Sequence, residues 1–287
     1  MKIAIINDIH VGVPLTRPGI VRASSHLIEE RLPAYFRTIA AHQPDLLINL
    51  GDLIRSESEE SDLGRYRRLM AFFRALPCPV IHLLGNHDIK RMTTSQVEQI
   101  WNEEGFMQKS YGQRRLGHLT LIWLGLEICG DNPPRFRLPD EQLDWLEETL
   151  QSVSGPVIIF SHCGIDDHDV RGNFFFETHM GERSITPFFL ENHAEIRALI
   201  DRSQVRGVFQ AHLHYFHAQT IGNTAYITCP AMGDNICAPD AVDNLPEIFT
   251  LLFIDEKKSS AKAYSRHFCF AGSDFNTQEK NHQQSGR

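Results

Sequence analysis

The sequence predicts an α/β protein with mixed sheets. Short β-branched apolar runs alternate with segments of helical spacing as far as residue 212, which is the pattern of strands joined by helical crossovers. Beyond that point strands follow one another with no helix between them, which adds an antiparallel part. Several of the apolar runs also end in Asp, Asn or His. Ligands of open α/β sheets bind at that carboxyl edge.

Taken in order, "KIAIIN" (2–7) is a buried strand. Residues 24–42 carry helical apolar spacing interrupted at Pro33, and "DLLINLGD" (45–52) is a second strand. Residues 62–76 read as a helix and "PVIHLLGNHD" (79–88) as a third strand. "SQVE" (95–98) has capping-box spacing and starts a further helix. "LTLIWLGL" (119–126) is a fourth strand, and "PDEQLDWLEETL" (139–150) is a helix with Leu143, Leu146 and Leu150 on one face. "PVIIFSH" (156–162), a helix over 195–202 and "VRGVFQAH" (205–212) complete the alternation. A hairpin over 215–230 turns at Gly222-Asn223. Runs at 248–256 and 260–270 finish the sheet. One domain is therefore expected over 1–270, with a Gln/Asn/Ser/Lys-rich disordered tail over 271–287. Residues 164–190, with Phe174 to Phe176, fit no element. They suit a lid over the site or a homodimer interface.

The 287 residues are 42% hydrophobic and 22% charged, ordinary for a globular protein. Net charge is −8, from 28 Lys+Arg against 36 Asp+Glu, which argues against nucleic acid as a partner. "RYRRLMAFFR" (65–74) reads as a helix with a solvated basic face. The six cysteines form no C-x-x-C pair, so a reducing cytoplasm is expected. The opening run is a strand and not a signal peptide, and no segment approaches the ~20 apolar residues of a membrane span.

The strand ends carry the chemistry. Asp8 and His10 close the first, Gly51-Asp52 the second, and Asn86, His87 and Asp88 the third; later come His162 and the pair His212 and His214. Side chains two apart in a strand share a face, so Asp8 with His10, and His212 with His214, are expected to converge. Carboxylate, amide oxygen and imidazole together suit divalent transition metals. The set is too large for one ion and indicates two adjacent sites sharing a carboxylate. Mn or Fe is expected, with Zn and Co as alternatives.

The ordered set D-x-H, GD, GNHD, a later H and H-x-H resembles the calcineurin-like metallophosphoesterase superfamily, in particular its cyclic-nucleotide-phosphodiesterase-like subgroup. The resemblance implies a four-layer β-sandwich flanked by helices. It implies Asp8, His10 and His214 on a first metal, Asn86, His162 and His212 on a second, and Asp52 bridging. His87 would be catalytic, acting on the phosphate while a hydroxide between the metals attacks phosphorus. Asp88 would support His87 or cap the next helix. "LPDEQLDWLEETLQ" resembles the helix after the third motif in that subgroup, and is equally an ordinary amphipathic helix.

Two departures stand out. Ala211 replaces the family's usual Gly, which would be costly if that position needs positive φ. The protein-phosphatase Asp and Arg after "GD" are also absent in that form. Arg171 and His168 either meet a phosphate or lie on the surface. Cys163 follows a ligand without an evident base and is not expected to be a nucleophile. The reading is a phosphodiesterase acting on a small nucleotide-like ester. The alternatives are a pyrophosphatase of nucleoside diphosphate derivatives, a phosphomonoesterase, or a metal-binding scaffold.

Overall fold

The structure, a computed structural model, describes residues 1–13, 15–17, 20–23, 25–130, 134–170, 188–233, 249–255 and 260–265. Two sheets dominate. The first has five strands in the order β15 (Ser260–Ser265), β14 (Thr250–Asp255), β1 (Lys2–Ile6), β4 (Leu46–Asn49), β5 (Val80–His82). The second has six, in the order β12 (His217–Ile221), β13 (Thr224–Thr228), β11 (Val205–Gln210), β10 (Val157–Phe160), β7 (Leu119–Trp123), β6 (Gly112–Leu116). Both are mixed: β1–β4–β5 and β7–β10–β11–β13 run parallel, while β14, β15, β6 and β12 pair antiparallel. Two small hairpins, β2 (Leu15–Arg17) with β3 (Ile20–Ala23) and β8 (Glu127–Cys129) with β9 (Arg135–Arg137), complete the strands.

The period-two alternation of the central strands builds the layers. Ile3 and Ile5 of β1 and Leu46 and Ile48 of β4 point one way, onto Leu121, Ile158, Phe160 and Phe209 of the other sheet. Ala4, Ile6 and Leu47 point the other way, into α1 (Ser25–Ala41), α2 (Glu59–Arg74) and α3 (Thr94–Glu103). Ile122, Ile159 and Val208 meet α4 (Asp140–Ser152) and α5 (His193–Asp201) behind the second sheet. Strands buried on both faces explain why these runs are continuously apolar. The result is the four-layer sandwich, helices outside and sheets inside.

Boundaries shift where caps decide them. α1 runs unbroken through Pro33, burying Ile28, Leu32, Tyr35, Phe36 and Ile39 on one stripe. α2 starts earlier than the apolar pattern suggests: Ser58 caps it, accepting from the Ser61 N–H, and Glu59, Glu60 and Asp62 complement its dipole. The capping box of α3 is Thr93 with Gln96, not Ser95 with Glu98. Glu98 instead accepts from the Ser110 N–H and from Lys109. The third strand stops at His82, leaving 83–88 as a loop. Residues 171–187, including Arg171 and Phe174 to Phe176, and the tail from 266 lie outside the described residues.

His82 is a fully buried imidazole among Phe73, Trp101 and Phe106, with ring centroids 4.7, 5.8 and 4.6 Å away. Its Nδ1 lies 3.3 Å from the Asn49 amide nitrogen, so it accepts from that amide. Burial pushes its pKa down to about 3. The unfolded chain, with a pKa of about 6.5, binds a proton that the folded chain refuses. The stability contributed is therefore present above pH ~6.5 and lost as pH falls toward 3, about 2 kcal/mol by pH 5. Urea melts of His82→Leu at pH 7 and pH 5 are expected to show that much less acid sensitivity than wild type.

Candidate metal centre

The predicted residues gather at one edge, where the loops leaving β1, β4, β5, β10 and β11 meet. Backbone bonds stitch those loops side by side. Asp8 N–H donates to the Gly51 carbonyl, His10 N–H to Asp52 and Val11 N–H to Leu53. Ala211 N–H donates to the His162 carbonyl, and Gly233 N–H to Asp8. Asp8 and His10 lie beyond the end of β1, and His212 and His214 beyond β11, so strand alternation does not aim them. Left-handed backbone does: φ is 50° at Asp8, 53° at His10, 54° at Asp52, 66° at His212 and 64° at His214. Such conformations cost on the order of 1 kcal/mol or more each for residues with a Cβ, and they cluster where function needs them. Ala211 is outside the left-handed region, so its methyl carries no such penalty.

Two overlapping donor sets result. In the first, His10 Nε2 and His214 Nε2 are 3.1 Å apart, and Asp8 Oδ1 lies 3.6 and 3.2 Å from them. In the second, His162 Nε2 is 3.1 Å from Asn86 Oδ1 and 3.5 Å from Asp52 Oδ2. Asp52 Oδ2 is also 3.6 Å from His10 Nε2, so one carboxylate oxygen faces both sets. The His212 ring joins the second set, 5.1 Å from the His162 ring, and its backbone N–H donates to Asp8 Oδ2 at 3.2 Å.

These spacings fit metal ions. Ligands bonded at ~2.1 Å and 90–110° from one another sit about 3.0–3.4 Å apart. Asp8 Oδ1 and Asp52 Oδ2 are buried carboxylate oxygens that accept no hydrogen bond among the described residues, an arrangement a cation would relieve. His162 Nδ1 donates to the Leu50 carbonyl at 2.8 Å, which turns the Nε2 lone pair toward the centre. Burial opposes the Asp8 charge, yet His214 and His10 hold its carboxyl well below the usual range. Burial likewise opposes charge on His162, but Asp52 outweighs it and raises the pKa to about 9. A metal must therefore displace a proton there, and its binding releases one.

His87 stands beside both sets. Its backbone N–H donates to Asp52 Oδ1 at 2.7 Å, leaving Oδ2 to face the histidines. Its ring sits edge-on to His10 with centroids 4.9 Å apart, and burial, against the Asp52 charge, lowers its pKa to about 3. Asp88 neither supports the His87 ring nor caps a helix. Its buried carboxylate accepts from the backbone N–H groups of Asp52 and Gly85 at 2.9 Å each and of Leu53 at 3.0 Å. It thus clamps the Asp52 loop against the Asn86–His87 loop. Gly85 permits that approach, since a Cβ there would lie 2.1 Å from the Asp52 nitrogen.

Three features escape the motif reading. Asn7 Nδ2 donates to Asp8 Oδ2 at 2.6 Å and to the Cys229 carbonyl, orienting the carboxylate; its place directly before Asp8 was the available signal. Phe136, at the hairpin of β8 and β9, packs edge-on to His212 at 5.3 Å. His168 is neither a surface residue nor part of this centre; it is 9% exposed and bonded within a separate network. Cys163 is fully buried, which pushes its thiol well up and leaves it unreactive.

The sequence profile of calcineurin-like phosphoesterases matches residues 1–216, the stretch that holds all seven predicted metal ligands and His87. The chain belongs to the calcineurin-like phosphoesterase family. A probable cyclic nucleotide phosphodiesterase of Synechococcus sp. is 28% identical over 247 residues, 84% of this chain and 84% of that protein. Among solved structures, a dimetal phosphatase from Danio rerio superposes with a TM-score of 0.68 at 13% identity, covering 92% of this chain and 95% of that one. GAP50, the anchor in the inner membrane complex of Plasmodium, superposes with a TM-score of 0.53 at 10% identity, covering 97% and 86%. At such identities the structures establish the shared fold. Family membership supports a metal-dependent phosphoester hydrolase. Among the described residues no helix is long and apolar enough to cross a membrane.

Proposed function

We propose that this protein is a phosphodiesterase that cleaves a small nucleotide-like diester, with two divalent ions, Mn or Fe, in the centre described above. Asp8, His10 and His214 would hold one ion, Asn86, His162 and His212 the other, and Asp52 would serve both. The observation that carries this reading is the position of Asp52 Oδ2, 3.6 Å from His10 Nε2 and 3.5 Å from His162 Nε2. Ions bound there supply Lewis acidity toward the phosphoryl oxygens and a water of depressed pKa.

The chain's own groups do the rest. The His87 amide pins Asp52 Oδ1, and Asp88 pins the Asp52 backbone, so the shared carboxylate is pre-positioned. The His87 ring is neutral at pH 7 and carries an N–H to donate to a phosphoryl or leaving oxygen at the partly exposed rim of the centre. Asn86, His212 and His214 share that rim, which leaves the ester a way in. The diester preference is supported by the printed name of the Synechococcus relative, which aligns with most of this chain.

Hydrolysis of bis(p-nitrophenyl) phosphate and of p-nitrophenyl phosphate by Mn²⁺-loaded protein tests the reading. We expect the diester to be favoured at least tenfold in kcat/KM, with cyclic nucleotides next to be assayed. A monoester preference would replace the proposal with a phosphomonoesterase. No turnover of either by metal-loaded protein would direct the search to nucleoside diphosphate derivatives and then to a scaffold role.

A further inference from the structure

A second buried polar cluster lies outside the candidate centre. Asp166, four residues after His162, is 2% exposed. Its Oδ1 accepts from Gln210 Nε2 at 2.6 Å; its Oδ2 accepts from Gln219 Nε2 at 2.9 Å and from His168 Nδ1 at 2.9 Å. His168 Nε2 then meets the Tyr215 hydroxyl at 2.5 Å. Gln210 is itself fixed at both ends, accepting from the Ile165 N–H at 2.9 Å and donating to Thr228 Oγ1 at 3.0 Å. Arg197 holds the Asp166 carbonyl at 3.1 Å.

Asp166, His168 and His217 offer metal-ligand chemistry with donor atoms within 4.8 Å of one another, but the geometry does not make a cation site. The His168 and His217 rings are stacked, with centroids 3.8 Å apart and an interplanar angle of 14°. Imidazole lone pairs lie in the ring plane, so those of two parallel rings do not meet at one ion. Both nitrogens of His168 are also already engaged.

What the cluster does is bracket a strained turn. His212 and His214 are both left-handed, at φ 66° and 64°, and between them the Leu213 N–H donates to the Ala211 carbonyl at 2.7 Å. Such a turn persists only when its surroundings over-determine it. Gln210 enters that turn and Tyr215 leaves it, and both are tied to one carboxylate, Asp166. The same carboxylate sits on the loop that leaves His162. Three predicted metal ligands from two adjacent strands are thus referenced to one buried group.

We propose that Asp166 is a positioning residue, which sets the placement of His162, His212 and His214 through Gln210 on one side and the His168–Tyr215 pair on the other. The inference rests on the metal reading above. Outer partners of metal ligands typically change affinity about 10–100-fold when removed.

The test uses the full chain, stripped of metal and titrated with Mn²⁺ by calorimetry, alongside Asp166→Asn and Tyr215→Phe. We expect wild type to bind two ions. Asp166→Asn should weaken at least one step 10–100-fold, and Tyr215→Phe should weaken one step several-fold while the metal-free melting temperature stays at the wild-type value. Excess Mn²⁺ should restore turnover in both variants, which a misfolded protein would not allow. Two steps of wild-type affinity in Tyr215→Phe and in any folded Asp166→Asn would overturn the inference while leaving the metal reading intact. Should Asp166→Asn not fold, the Tyr215→Phe titration decides alone. No Mn²⁺ binding by wild type would remove both readings.

Discussion

His87→Ala is expected to keep its metal ions and to lose about 10²–10⁴-fold in kcat. The two halves of that expectation come from different atoms of one residue. The backbone N–H of His87 holds Asp52 Oδ1 at 2.7 Å, and alanine retains it. The imidazole lies edge-on to His10, and under the proposed function it would donate its N–H to the phosphate. On that proposal, deleting the ring removes the donor to the phosphate and leaves the bond to Asp52 in place. The checks are metal content by mass spectrometry and turnover of bis(p-nitrophenyl) phosphate at saturating Mn²⁺. Turnover within threefold of wild type would remove His87 from the chemistry. Loss of metal with turnover would make its role one of holding the centre.

Asp88→Ala is expected to produce the largest loss of stability, about 3–5 kcal/mol. Asp88 is fully buried and its oxygens are the acceptors for the N–H groups of Asp52, Leu53 and Gly85. Alanine would leave these donors, and the Ile54 N–H that Asp88 Oδ1 accepts at 3.4 Å, without that partner, each carrying a desolvation penalty of about 1–3 kcal/mol. The left-handed Asp52, at φ 54°, would also lose the clamp that keeps it there. Guanidinium melts of metal-free wild type and variant read the difference. A change below about 1 kcal/mol would show that the loops hold their positions without the carboxylate.

The sequence reveals the layers and the residues that converge, for reasons visible in particular segments. β1, β4 and β10 are buried on both faces, so "IAII", "LLIN" and "VIIF" could be little else than core strands. β6 shows no strand signal because "GQRRL" is an edge strand with exposed Gln113, Arg114 and Arg115, paired among the described residues only with β7. β8 and β9 are three residues each, too short to show any period. The ligand-type residues were legible as an ordered set, but the reason they converge was not. Strand alternation was expected to aim Asp8 with His10 and His212 with His214; left-handed turns past the strand ends do so. The tasks of Asp88 and Asp166 depend on backbone N–H groups and amides brought in from distant segments, which no local spacing displays.

The proposed function turns on a pair of metal ions sharing Asp52. It is tested most directly by counting Mn²⁺ bound per chain and recording its electron paramagnetic resonance, with Asp52→Asn beside wild type. We expect two ions per wild-type chain with an exchange-coupled spectrum, and loss of that coupling in Asp52→Asn. A single uncoupled ion in wild type, or a coupled pair that survives Asp52→Asn, would contradict it.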